Sequence, residues 1–184
     1  TQWTVNLESL GADLEAVTSL AVGVKGSGAA GILYVDAIGL YTSAPSVPTE
    51  RVWFVNDTNP QISYSEGWTL WNGAAPAGGS LHYANRQDCT VELTFYGTGV
   101  TLIHKAGADC GIVEASIDGA PVAISPIDTY SPVDEWNRRT SVAANLTQGK
   151  HTLTLKTTGL KNEKATNSYA QICGIELRAA VDQP

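Results

Sequence analysis

The stretch CTVELTFYGTGVTLIHKAGADCGIVEASIDG, residues 89–119, decides the fold. Val91, Leu93 and Phe95 alternate with Glu92, Thr94 and Tyr96, which is the period-two pattern of a strand with one buried face. Gly97-Thr98-Gly99 reads as a tight reversal, after which Val100, Leu102 and His104 resume the alternation. Val113, Ala115 and Ile117 form a third apolar row, closed by the turn pair Asp118-Gly119. The expectation is three consecutive antiparallel strands, with the first two paired as a hairpin. Such strands build a sandwich, whose function sits on loops and exposed faces.

Working outward, the same signals recur. RVWFV, QISYS, LHYAN, PVAISP, TSVAANL, HTLTLKT and YAQICGIEL are further strand candidates over 51–180. Asn72-Gly73, Gly78-Gly79, Gln148-Gly149 and Thr158-Gly159 supply turns between them. No segment carries a sustained helical period, so the chain is predicted to be all-β. Residues 42–50 (TSAPSVPTE) hold two prolines, small polar residues and no pattern, and mark a boundary with a linker over 45–50. Before it, three strand-like runs within residues 1–44 are too few to cover two sheet faces by themselves. The expected organisation is a partial β module over 1–44, the linker, and a complete sandwich over 51–180.

Composition narrows the partners. The 184 residues carry a net charge of −7, which argues against nucleic acid or an anionic membrane as partner. Low charge (16%), 18 glycines and abundant Thr and Ser suit a secreted β protein. No apolar run reaches the length of a membrane span, and an export signal is expected to lie outside this sequence. Cys89, Cys110 and Cys173 have no metal-ligand spacing. Pairing the strands about Gly97–Gly99 makes a Cys89–Cys110 disulfide geometrically reasonable, with three reduced cysteines as the alternative. Cys173 shares a period-two face with Ile175 and Leu177 and reads as a buried free thiol.

Catalytic motifs are missing. No G-x-S-x-G, H-E-x-x-H or phosphate-binding glycine loop occurs, and His104 and His151 sit in apolar rows as satisfied histidines. Asp134-Glu135, and Asp88 with Asp109, are carboxylate pairs read as solvated loop residues rather than as an acid/base couple across a glycosidic bond. Sugar binding needs aromatic faces for the apolar side of a pyranose, with amides, carboxylates and arginine for its hydroxyls. With 5 Trp and 7 Tyr, the chain offers such groups in segments that read as loops. The candidate ligand-binding residues are Trp136, Tyr130, Arg138, Trp71, Tyr83 and Arg86. Trp68 and Trp53 read as core, and His82 and Tyr83 equally as closing the sandwich end.

The order of motifs adds a resemblance. YSEGW (64–68), Asn72-Gly73, HYAN (82–85), VELTFYGTGV (91–100), VEASIDG (113–119), L-x-x-G-K-H-T-L-T-L (146–155) and IELRA (175–179) follow one another. Together they resemble the galactose-binding-like jelly rolls of secreted glycoside hydrolases, of the kind found in carbohydrate-binding modules of families 6 and 35. WTVNL, D-L-x-x-V-T-S-L-A-V-G-V and G-x-L-Y-V-D-A-I-G-L-Y similarly look like the closing half of a second such module. The resemblance implies a non-catalytic module that binds polysaccharide or oligosaccharide and is covalently linked to an upstream catalytic domain. A structural or protein-docking β-sandwich without glycan binding is the alternative. Such modules often hold a structural calcium between an early-strand carboxylate and a last-strand Asp. Cys173-Gly174 stands at the latter place here, which leaves Asp57 as a single carboxylate, so no metal and no cofactor are expected.

Overall fold

The structure, a computed structural model, describes residues 50–181, which belong to the unit Pro48–Pro184; the expected module over 1–44 lies outside the described residues. Twelve strands follow one another. They are β1 (Glu50–Asn56), β2 (Ile62–Tyr64), β3 (Thr69–Asn72), β4 (Ser80–Ala84), β5 (Thr90–Gly97), β6 (Gly99–Ala106), β7 (Gly111–Ile117), β8 (Ala120–Pro121), β9 (Ile127–Asp128), β10 (Glu135–Ala143), β11 (Gly149–Lys161) and β12 (Ala170–Ala180). They form two antiparallel sheets. The first runs β10-β6-β12-β4-β3, with β1 continuing beside β12 beyond β4. The second runs β2-β5-β11-β7-β8, with β9 also on β7. The fold is an all-β sandwich, as the strand periodicity predicts.

The inner faces explain the alternation. Val91, Leu93 and Phe95 of β5, Leu153 and Leu155 of β11, and Val113, Ala115 and Ile117 of β7 face Val100, Leu102, Ile175 and Leu177 from the opposite sheet, all in one buried cluster. Glu92, Thr94 and Tyr96 stay exposed on the outside of the second sheet. Each buried Leu or Phe contributes about 2 kcal/mol of transfer free energy, so this shared layer holds the two sheets together.

The predicted hairpin is corrected. β5 pairs with β2 and β11, whereas β6 pairs with β10 and β12, so Gly97-Thr98-Gly99 carries the chain from one sheet to the other. Neither glycine has a positive φ, as a two-residue primed turn would require. They are needed for close approach instead: the Gly97 backbone abuts the Arg178 carbonyl, and Thr98 N–H donates to that same oxygen at 2.7 Å. The disulfide argued from the hairpin falls with it, because Cys89, Cys110 and Cys173 are all free and buried.

Other expectations shift locally. PVAISP contributes only Pro121 to the two-residue β8 before β9 begins. Thr158-Gly159 is no turn; it lies within β11 as a bulge, with Gly159 at φ +70° and the register to β7 broken after Thr157. β3 is a strand where only the Asn72-Gly73 turn is expected, and β10 begins five residues before the predicted TSVAANL strand. A bulge in β12 between Ile172 and Gly174 turns Cys173 to the outer face, away from Ile175 and Leu177. Trp53 and Trp68 pack against the core, as expected.

Candidate functional site

A sandwich sheet usually gives water a polar outer face. The first sheet departs from this rule. β6 is buried along its whole length, with Val100 and Leu102 facing inward and Ile103 outward. Ile103, Leu81 of β4 and Cys173 of β12 form a second apolar cluster, capped by Tyr83 and Trp136. Over it lies an open cleft of about 260 Å³, lined by Trp71, Leu81, Tyr83, Asp109, Trp136, Tyr169 and Gln171. An apolar, aromatic floor with a few polar groups is the composition of a ligand site.

The rings are fixed by their strands. Trp71 of β3 and Trp136 of β10 stack with centroids 5.8 Å apart and planes 22° from parallel. Tyr83 and Tyr169 meet edge-on at 5.7 Å. The Trp71 indole lies over Gly73, where any side chain would displace it. Asn137, next to Trp136, adopts φ +59° in a bulge that sets three residues of β10 against two of β6. Its Oδ1 accepts the Ala77 N–H at 2.6 Å and its Nδ2 donates to the Ala75 carbonyl at 3.0 Å. The β3–β4 loop is thereby tied to β10 beside the two indoles. Trp71 remains 42% exposed, so one indole is free to receive a ligand.

One cation sits at the cleft. Lys105 Nζ lies 5.4 Å from the Trp136 ring centroid and 3.0 Å from both Asp109 Oδ1 and Asp134 Oδ1. Burial alone would lower the Lys105 pKa, but hydrogen bonds to the two carboxylates outweigh it and raise it. Burial would likewise raise Asp109, yet its bond to Lys105 holds it below the usual carboxylate range. Gln171 Nε2 donates to both Asp109 oxygens at 3.3 Å. Burial and the Asp109 charge push the Cys110 thiol up to about 12, so it is inert at neutral pH. Two carboxylates about one point invite comparison with a glycosidase pair. Glycoside cleavage requires the two carboxyls to face each other across the scissile bond, and here the Lys105 ammonium stands between them at 3.0 Å from each.

A second polar knot closes one end of the sandwich. Asp57 is fully buried; its carboxylate accepts the Ser80 hydroxyl at 2.6 Å and pairs with His82 Nδ1 at 2.8 Å. The Tyr64 hydroxyl donates to the Asp57 carbonyl at 2.9 Å, and its ring stacks on the His82 imidazole at 4.0 Å. Ser, His and Asp are thus together, but the carboxylate stands between the other two, so the imidazole cannot take the serine proton. A calcium ion does not fit here either. The Asp57 oxygens are already committed to Ser80 and His82, and Cys173 replaces the last-strand oxygen ligand.

Of the predicted site residues, the structure brings Trp71, Tyr83 and Trp136 together, on strands rather than in loops. Tyr130 follows β9, with its N–H bonded to the Asp128 carboxylate, and does not line the cleft. Arg138 pairs with Glu135 at 3.7 Å opposite His104, and Arg86 lies alongside Gly67; neither lines the cleft. Sequence reasoning does not nominate Lys105, Tyr169 or Gln171, and it reads Asp109 as a solvated loop carboxylate. Tyr169 and Gln171 were readable from the period-two row they make with Cys173, had that row been assigned to an outer face. His104 is the satisfied core residue expected, bonded to the Lys105 carbonyl at 3.0 Å and to Thr140 Oγ1 at 2.9 Å.

No family model matches the chain. It is 28% identical over 148 residues to the A type blood N-acetyl-alpha-D-galactosamine deacetylase of Flavonifractor plautii, covering 80% of this chain and 18% of that protein. Among solved structures, a Paenibacillus xanthan lyase superposes over 70% of this chain and 13% of its own, with a TM-score of 0.56 and 21% identity. A two-domain esterase active on acetylated mannans matches over 78% of this chain and 42% of its own, with a TM-score of 0.55 and 11% identity. The structural likenesses establish the fold. The chain spans less than a fifth of the deacetylase and less than half of either solved protein. All three are carbohydrate-active enzymes. Among the described residues, no helix is long and apolar enough to cross a membrane.

Proposed function

We propose that residues 51–180 form a non-catalytic carbohydrate-binding module of a secreted, multidomain polysaccharide-acting enzyme, covalently linked to its catalytic domain. One observation carries this reading: the stacked Trp71–Trp136 pair over an apolar cleft edged by Asp109 and Gln171. An exposed indole offers a flat apolar surface to the C–H face of a pyranose, while carboxylate and amide oxygens accept its hydroxyls. The similarity to carbohydrate-active enzymes supports it, and the resemblance to modules of families 6 and 35 agrees with it. Each stacking contact and solvent-competed hydrogen bond adds about 1 kcal/mol, so a single site binds weakly. The module would act by holding its enzyme near the glycan, raising the effective concentration of substrate.

Affinity electrophoresis against a polysaccharide panel that includes N-acetyl-α-D-galactosamine-terminated glycans tests this. The chain should be retarded by at least one glycan, and Trp71→Ala and Trp136→Ala should each weaken the retardation about fivefold, the loss of one stacking contact. Tyr130→Ala and Arg86→Ala, outside the cleft, should retain it. Migration unaffected by every glycan would sink the proposal.

A further inference from the structure

We infer that the cleft selects uncharged glycans and excludes those bearing carboxylate or sulfate groups, a selectivity set by Lys105, Asp109 and Asp134. This rests on the carbohydrate-binding reading above. An ammonium has three N–H donors. Two of those on Lys105 are taken by Asp109 and Asp134 at 3.0 Å each, and the charge also lies against the Trp136 ring. Its side chain is only 8% exposed, so the one cation at the cleft is a strut between carboxylates with little left for an anion. The Gln171 amide N–H is likewise spent, on Asp109 and on Cys110 Sγ at 3.4 Å.

What the cleft still offers is mostly acceptors. The Gln171 carbonyl oxygen has no partner among the described residues, and Asp109 and Asp134 retain lone pairs. Sugar hydroxyls donate to such groups. A uronate or sulfate needs charge-assisted donors instead. The three charges at the site sum to −1, because two carboxylates share one ammonium. Among the described residues no guanidinium lines the cleft, and Arg138 pairs with Glu135, Arg139 with Glu176 at 3.5 Å and Arg178 with Glu50 at 3.4 Å. The net charge of −7 on the chain adds repulsion at longer range.

The test is retardation of the full chain at low salt in gels containing neutral polymers (glucomannan, galactan, xyloglucan) or anionic ones (polygalacturonate, alginate, chondroitin sulfate). The neutral set should contain a binder, and the best anionic polymer should bind at least about tenfold more weakly, a gap that narrows in 0.5 M salt. Asp134→Asn frees a Lys105 donor and neutralises the cluster, so its anionic-to-neutral affinity ratio should rise about threefold. Anionic polymers binding as well as neutral ones would overturn the inference while leaving the binding reading intact. An unchanged ratio in Asp134→Asn would overturn the assignment to this cluster. Silence toward both sets would sink the binding reading and the inference together.

Discussion

Two histidines show how residue environment, not residue type, sets charge. His104 Nδ1 donates to the Lys105 carbonyl and Nε2 accepts the Thr140 hydroxyl, a complete set of bonds for a neutral ring. Burial lowers its pKa, which the Lys105 carbonyl only partly offsets. His151 meets acceptors at both nitrogens, Asp118 Oδ2 at 2.7 Å and the Thr147 carbonyl at 2.9 Å, an arrangement that only the imidazolium satisfies at both and that therefore favours the charged ring. Its pKa is raised, chiefly by the bond to Asp118. The signs oppose. His151 stabilises the fold below the free-histidine value near 6.5, and this is lost as pH rises through its raised folded value. His104 contributes above about 6.5, and its contribution is lost as pH falls through its lowered folded value. Thermal melts across about pH 5–8 should therefore lose their alkaline-side decline in His151→Gln and keep the acid-side one; an unaltered alkaline limb would show that His151 is not charged. The sequence reads both histidines as satisfied core or sheet-edge residues, and both find partners at each ring nitrogen. It held nothing to separate them, because Asp118 lies 33 residues from His151 and only the strand register brings it near.

At the scale of elements, period-two alternation reported faces faithfully and partners not at all. Val91–Phe95 and Val113–Ile117 face the core as their spacing says, since alternation follows from the pleat alone. Whether β5 continues into its neighbour or into the opposite sheet leaves the same pattern, so the Gly97–Gly99 crossing was invisible. β3 was missed because its four residues are all exposed and show no alternation. The crossing makes a prediction that a hairpin would not. A Cβ on Gly97 would drive into the Arg178 carbonyl, and one on Gly99 would sit 3.1 Å from the Ala143 carbonyl. Gly119, at φ +80° in the Asp118-Gly119 turn, has nothing within 4 Å of that position, so its replacement meets only backbone strain. Gly119→Ala should cost about 1 kcal/mol, and Gly97→Ala about 3 kcal/mol from the steric shift, with Gly99→Ala between them. Equal costs for Gly97→Ala and Gly119→Ala in urea denaturation would contradict the sheet crossing.

For the molecule as a whole, the candidate site was half legible. Trp71, Tyr83 and Trp136 could be nominated as aromatics outside the strongest core pattern, but the surface they share could not. Their convergence needs β3, β4, β12, β6 and β10 to lie side by side, an order set by pairings up to 90 residues apart along the chain, as between His82 and Ile172. Asp109 reads as a solvated loop carboxylate and Gln171 draws no attention for the same reason: nothing local distinguishes a cleft polar group from a solvated one. The same topology bears on domain organisation. Both inner faces are filled from within Val55–Leu177, and the strands framing the cleft all fall between residues 69 and 180. A layer that closes on itself this way needs no further chain to bury its apolar surface. A fragment comprising residues 48–184 is therefore expected to fold alone, unfolding in one cooperative thermal transition and retaining the glycan retardation of the full chain. Loss of cooperativity, with exposed apolar surface detected by dye binding, would mean that residues 1–47 contribute to this core. A folded fragment that has lost retardation would instead assign part of the binding surface to those residues, which the cleft geometry does not require.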